Sequence, residues 1–338
     1  MLRRLTLLFA VCAFALCAQN KKILLGINDP ALLQELQSVT PQARIVPVTD
    51  QNVMQEIADA DAFIGSIKPE EVRAGKQLKW VQTMSAGVEG VLFPASGASD
   101  LLNSDIVLTN NQIVQGPEIA DHAMAMLLML SRRLFIYYKN QEQELWRSQR
   151  PYPGVELRGK TAVVIGVGGI GTQIAVRAHA FGMNVIGVDP EDIPFMPFLE
   201  KVVKPGQLDE VLPRADVVFV SAPYTPRSRK MMGARQFELL KPHSYFVAVS
   251  RGRLYDLDGL VKALDSQRLD GAGVDVTDPE PLPKGHPLWK FDNVIITPHV
   301  AGRSDQDRVR MVGTIKENIR RFVEDKPLIN VVDKQEGY

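Results

Sequence analysis

The chain has 338 residues, enough for two domains that each bury a core. Basic and acidic residues balance at 39 each with no basic block or stripe, which argues against a nucleic-acid partner. No segment is low in complexity, and no repeat recurs at solenoid periods.

The first twenty residues, MLRRLTLLFAVCAFALCAQN, differ from the rest. Arg3 and Arg4 precede an apolar run from Leu5 to Ala18, too short to span a bilayer comfortably. A charged start, a short apolar stretch and small residues at the end match a secretory signal peptide over residues 1–18. A transit peptide, or a start codon placed too early, reads the same residues differently. The corresponding locations are export to the periplasm or medium, or the cytoplasm. Both cysteines, Cys12 and Cys17, lie in this leader, so the remainder has no disulfide, thiol nucleophile or cysteine-based zinc site. Without the leader the charges stand at 37 against 39.

From Lys22 onward, short β-rich runs alternate with helical stretches: KILLGI, RIVPV, DAFIG, LKWVQTM and DIVLTN read as strands. This βαβ rhythm implies a parallel sheet covered by helices. QGPEIADHAMAMLLMLSRRLFIYYKNQEQELW (115–146) reads as one long helix between two bodies, with Pro117 in its first turn. The proline-bearing loop at 147–160 looks like a boundary. A second series follows in TAVVIG, NVIGVD, DVVFVSAP, SYFVAVS, GAGVDV and NVIITPH, whose near-continuous Val and Ile suit strands buried on both faces. Residues 303–327 read as a helix that could return to the first domain.

Residues 166–171 are GVGGIG, with Gly166, Gly168 and Gly171 meeting G-x-G-x-x-G. The motif alone is weak. Here a strand leads in, a helix leads out, and the next strand ends in Asp189, 18 residues after Gly171. Gly166 permits the tight turn, Gly168 admits the pyrophosphate, and Gly171 lets helix pack on strand. Asp189 would accept from the adenosine ribose hydroxyls and repel a 2′-phosphate, so NAD is expected over NADP. The competing reading is a structural turn with a chance aspartate.

Three further ionisable groups fall at ends of expected strands: Arg251 after SYFVAVS, Glu280 in TDPEPLP, and His299 after NVIITP. In open α/β sheets that edge binds ligands. Hydride transfer from a hydroxyl carbon needs a base for the hydroxyl proton, and His serves as acid or base near neutral pH. Arg offers a planar fork to a carboxylate. Glu280, set between Pro279 and Pro281, suits a carboxylate held against the far nitrogen of His299.

These residues resemble the D-isomer-specific 2-hydroxyacid dehydrogenases, including glyoxylate/hydroxypyruvate reductases. The likeness covers nearly all of the chain beyond the leader. It is most specific in VVIGVGGIG, AVSRGRLYD, GAGVDVTDPEPLP and NVIITPHVAG. It implies two Rossmann/flavodoxin-like doubly wound parallel-sheet domains with the active site between them, usually in a homodimer. Residues 19–116 and 304–338 would form the substrate-binding domain and 117–303 the NAD-binding domain. Arg251 would bind the substrate carboxylate, His299 would be the acid/base and Glu280 its partner. Backbone N–H groups near Ala86 and Gly87, in MSAGVEG, would meet the carboxylate. The cofactor set would be Gly166, Gly168, Gly169, Ile170, Gly171, Asp189, Ala222 and Asp275, the last near the nicotinamide carboxamide.

Two departures from the family pattern stand out: Arg303 after Gly302, and Gln112–Ile113 where relatives often have a glycine-containing pair. Thr277 argues against the D-lactate branch, and Glu280 against the formate branch. The five histidines show no metal-ligand spacing. A second functional reading is a non-catalytic NAD-sensing or partner-binding module on the same fold.

Overall fold

The computed structural model describes residues 20–148 and 154–338; the leader and part of the expected boundary loop lie outside them. Two parallel sheets form the frame. The first contains β1 (Lys21–Leu25), β2 (Ala43–Pro47), β3 (Ala62–Ile64), β4 (Trp80–Gln82) and β5 (Val107–Thr109), in the order β2-β1-β3-β4-β5. The second contains β6 (Thr161–Ile165), β7 (Asn184–Val188), β8 (Lys201–Val203), β9 (Val217–Val220), β10 (Ser244–Ala248), β11 (Leu269–Val274) and β12 (Val294–Ile296). Its order is β12-β11-β10-β9-β6-β7-β8. The first is the flavodoxin-like order. The second is the Rossmann order with one strand added, so the two-domain Rossmann-like fold stands as expected.

Six helices among the described residues reach eight residues or more: α1 (Pro30–Gln37), α2 (Gly116–Ser131), α3 (Leu134–Glu142), α4 (Gly169–Ala180), α5 (Leu257–Asp265) and α6 (Asp307–Val323). The stretch expected as one helix at 115–146 is therefore two. α2 is apolar nearly all round and lies against β11, where glycines let it come close. A Cβ on Gly273 would meet Met126 at 2.8 Å, and one on Gly271 would meet Leu130 at 2.8 Å. Beyond Ser131 contact with that core thins: α3 buries no residue fully, and its Phe135 packs against the core half-buried. The break falls at Arg133, which is left-handed at φ 54. β8 was not expected, because its three residues carry no alternation to read.

α6 returns to the first sheet. Its Val312, Ile315 and Ile319 are buried with Ile23, Leu25 and Trp80, and the Phe322 ring lies tilted against Trp80 with centroids 5.1 Å apart. Burying each such side chain contributes roughly 1.5–3 kcal/mol. Among the described residues no helix is long and apolar enough to cross a membrane.

Candidate active site

A cavity of about 1000 Å³ lies between the two sheets. Its lining includes Ala86, Gly87, the turn Gly166–Ile170, Asp189, Ala222, Arg251, Asp275 and His299. Residues read from distant parts of the sequence thus face one space. Gly171 and Glu280 stand just behind the lining.

The glycine turn fits a dinucleotide. Gly166 has φ +87, and a Cβ there would meet the Ala222 backbone at 2.5 Å. A Cβ on Gly171 would fall 1.8 Å from the Gly166 carbonyl oxygen, so only glycine lets α4 start this close to β6. At Gly168 a Cβ would meet nothing within 4 Å, which leaves that backbone open to the cavity. α4 has no side-chain N-cap, so its first N–H groups are available to an anion. Asp189 is 7% exposed; its carboxylate accepts from the N–H of Val167 at 2.7 Å and of Glu191 at 2.9 Å. Those bonds fix it at the end of β7, beside the turn.

At the other end of the cavity, His299 Nδ1 lies 2.9 Å from Glu280 Oε2. The other Glu280 oxygen accepts from the Thr277 N–H at 3.0 Å, so the carboxylate is held on both sides. The peptide bonds before Pro279 and Pro281 are cis. Gly252 makes room for this loop: a Cβ on it would fall 2.0 Å from the Thr277 carbonyl carbon. With Nδ1 engaged, Nε2 is the nitrogen left to exchange a proton in the cleft.

Asp275 is 2% exposed and holds the strand end that carries His299. It accepts from the Thr297 hydroxyl at 2.6 Å and from the N–H groups of Val300 and Ala301 at 2.9 and 3.0 Å, while its carbonyl accepts from the His299 N–H at 2.8 Å. His122, on α2, adds its Nε2 to Thr297 Oγ1 at 3.0 Å.

Arg251 leaves β10 and reaches the opposite wall. Its Nη1 donates to the Ser250 carbonyl at 2.7 Å, and its Nε donates to Glu89. Its Nη2 lies 1.9 Å from where a Cβ on Gly87 would stand, so glycine is what admits the guanidinium there. The loop itself is pinned: Asn110 donates to the Ala86 carbonyl at 2.7 Å, and Asn111 to the Met84 carbonyl at 2.9 Å. Glu89, Asn110, Asn111, Thr297 and His122 were not among the expected site residues. A lone carboxylate or amide has no signature until the fold supplies its partner.

The chain is similar to known proteins over most of its length. The sequence profile described as "D-isomer specific 2-hydroxyacid dehydrogenase, NAD binding domain" matches residues 124–301. A D-3-phosphoglycerate dehydrogenase from Methanocaldococcus jannaschii is 31% identical over 85% of this chain; the match spans about half of that relative's length, 54%. A glyoxylate reductase from Thermofilum pendens is 29% identical over 83% of this chain and 84% of its own length. The crystal structure of a D-isomer specific 2-hydroxyacid dehydrogenase family protein from Aeromonas salmonicida superposes with a TM-score of 0.78 at 30% identity, covering 93% of this chain and 99% of that one. Solved structures sharing the fold at lower identity include complexes with NADP. Profile, relatives and fold converge with the glycine turn: the chain belongs to the D-isomer specific 2-hydroxyacid dehydrogenase family.

Proposed function

We propose that this protein interconverts a D-2-hydroxy acid and its 2-keto acid with NAD(H), favouring small acids of the glyoxylate and hydroxypyruvate type. The observation that carries the reading is the Glu280–His299 pair on the cavity that Arg251 and the glycine turn also border. When bound, the nicotinamide supplies the hydride acceptor, or the donor in reduction. The Arg251 guanidinium and the backbone at Ala86 and Gly87 would hold the substrate carboxylate. His299 Nε2 would take the hydroxyl proton in oxidation and return one to the carbonyl oxygen in reduction. Glu280 would fix the ring and offset its positive charge in the protonated state. Asp275 and Thr297 would keep the His299 backbone in place, and Asp189 would accept from the adenosine ribose, favouring NADH over NADPH.

The test is NADH oxidation by residues 19–338 with glyoxylate, hydroxypyruvate, pyruvate and longer 2-keto acids, repeated with NADPH. Turnover with NADH should fall about 10²–10⁴-fold in His299→Ala while NADH binding persists. Tight NADH binding without turnover on any acid would favour the sensing module instead.

Two further readings accompany this one. Leu134, Tyr137, Tyr138, Leu145 and Trp146 are exposed together on and just after α3, which supports a homodimer; light scattering showing a monomer would overturn it. Arg3, Arg4 and the apolar run from Leu5 support export, and a native protein beginning at Met1 would overturn that.

A further inference from the structure

Residues 333–338 bring Gly337 and Tyr338 into the lining of the cavity that Asp189 also borders. They are anchored to the first sheet's side by Lys334, whose Nζ donates to the carbonyls of Leu101, Ser104 and Ile106. Burial lowers the affinity of that ammonium for its proton. Asp333 folds the segment on itself: its Oδ1 accepts from the N–H groups of Gln335 and Glu336, and its carbonyl accepts from Gly337 N–H at 2.7 Å. Gly337, at φ +87, sits between Phe93 of the first body and Thr225 of the second.

The last contacts are on the dinucleotide side. Glu336 pairs with Arg227, and the Tyr338 hydroxyl donates to Glu191 Oε1 at 2.8 Å. Arg227, Glu191, Gly337, Tyr338 and Asp189 all line the cavity. Lys204, beside the same turn after β7, gives its ammonium to Asp192 and to the Pro190 carbonyl. Asp189 and Glu191 therefore flank this end of the cavity, while Arg227 is engaged with Glu336 and Lys204 with Asp192.

We infer that residues 333–338 are a selectivity wall of the dinucleotide site, which admits an adenosine ribose bearing free hydroxyls and refuses one bearing a 2′-phosphate. The inference rests on the NAD reading above and assigns part of that choice to a segment far from the glycine turn in sequence. A ribose hydroxyl donates to a carboxylate, whereas a phosphate dianion would meet like charge. Glu336 removes the guanidinium that would otherwise receive the phosphate, and Tyr338 holds Glu191 in place.

Dissociation constants for NADH and for NADPH, read by nucleotide fluorescence, test this without any turnover. The proteins needed are the wild type, Glu336→Gln, Tyr338→Phe and a chain lacking 333–338. The wild type should prefer NADH. Glu336→Gln should narrow the NADH-to-NADPH affinity ratio by up to about fivefold, with a smaller narrowing in Tyr338→Phe. The shortened chain should show the largest change. A wild-type preference for NADH that none of the three alters overturns the inference and leaves the NAD reading intact. A wild type that prefers NADPH, or binds neither, overturns both.

Discussion

Glu89 hydrogen-bonds the Nε of Arg251 across the cleft, joining residues 162 positions apart. Both side chains are about a quarter exposed, at 26% and 28%, so water reaches the pair. A substrate carboxylate would approach the same guanidinium. Glu89 is then a competitor for the charge, and its removal should tighten anion binding. Glu89→Gln keeps an acceptor and drops the charge. Inhibition by a small carboxylate such as oxamate should strengthen by up to about fivefold. Weaker inhibition would show that Glu89 chiefly positions Arg251.

Gly87→Ala and Gly171→Ala separate chemistry from scaffold. At Gly87 the added Cβ meets the flexible tip of Arg251, which can move aside. Unfolding stability should change by less than about 0.5 kcal/mol, while kcat/KM falls tenfold or more, on the order expected for a misplaced binding group. At Gly171 the Cβ meets the rigid carbonyl of Gly166. That variant should lose roughly 1–3 kcal/mol or more together with NADH affinity. Denaturant titration beside NADH titration distinguishes the two patterns.

Ile113 sits at φ 73, a left-handed backbone that a β-branched residue adopts at a cost of about 1–2 kcal/mol. Its side chain is 65% exposed, so little packing is lost by removing it. Ile113→Gly should relieve the strain, offset in part by roughly 0.5–1 kcal/mol of unfolded-state entropy. The expected net effect is a stabilisation of up to about 1 kcal/mol. A lowered melting temperature would contradict it.

Glu35 ties α1 to α6, accepting from Lys316 at 2.8 Å and from Arg308 at 3.2 Å. The Lys316 hydrogen bond, opposed by partial desolvation and reinforced by both cations, holds its carboxyl below the ordinary value of 4.5. A depressed carboxylate stabilises the fold fully above its unfolded value, and that contribution is lost as pH falls through the folded value. The urea midpoints of wild type and Glu35→Gln should therefore differ at about pH 7 and converge once the pH has fallen below the depressed folded value. A gap that persists in acid would rule out the ion pairs as its source.

What could be read from sequence was what is written contiguously. The strand–glycine turn–helix from Thr161 to Ala180 and the Val/Ile runs of the second sheet carry their structure in local chemistry. Ile113 was noticeable as an oddity, and the structure explains it as a left-handed position. Glu89 against Arg251, or His122 against Thr297, could not be read, because 162 and 175 residues separate the partners. The break at Arg133 was equally hidden. The pattern from Gly116 to Glu142 favours helix throughout, and only the edge of the packed core decides where α2 stops.

α6 has a consequence for how the molecule is made. Arg308 bonds Asp29 across 279 residues of chain, and Ile315 and Ile319 complete a core begun by Ile23. Drawing such distant segments together from an open coil costs roughly 5 kcal/mol in loop entropy. If the second sheet is already folded, it forms a compact bridge and much of that cost is met beforehand. On the ribosome, the strands of the first sheet emerge early but wait for α6, which emerges after the whole second sheet. The portion synthesised first is thus the portion completed last, and Trp80 lacks its Phe322 neighbour until then.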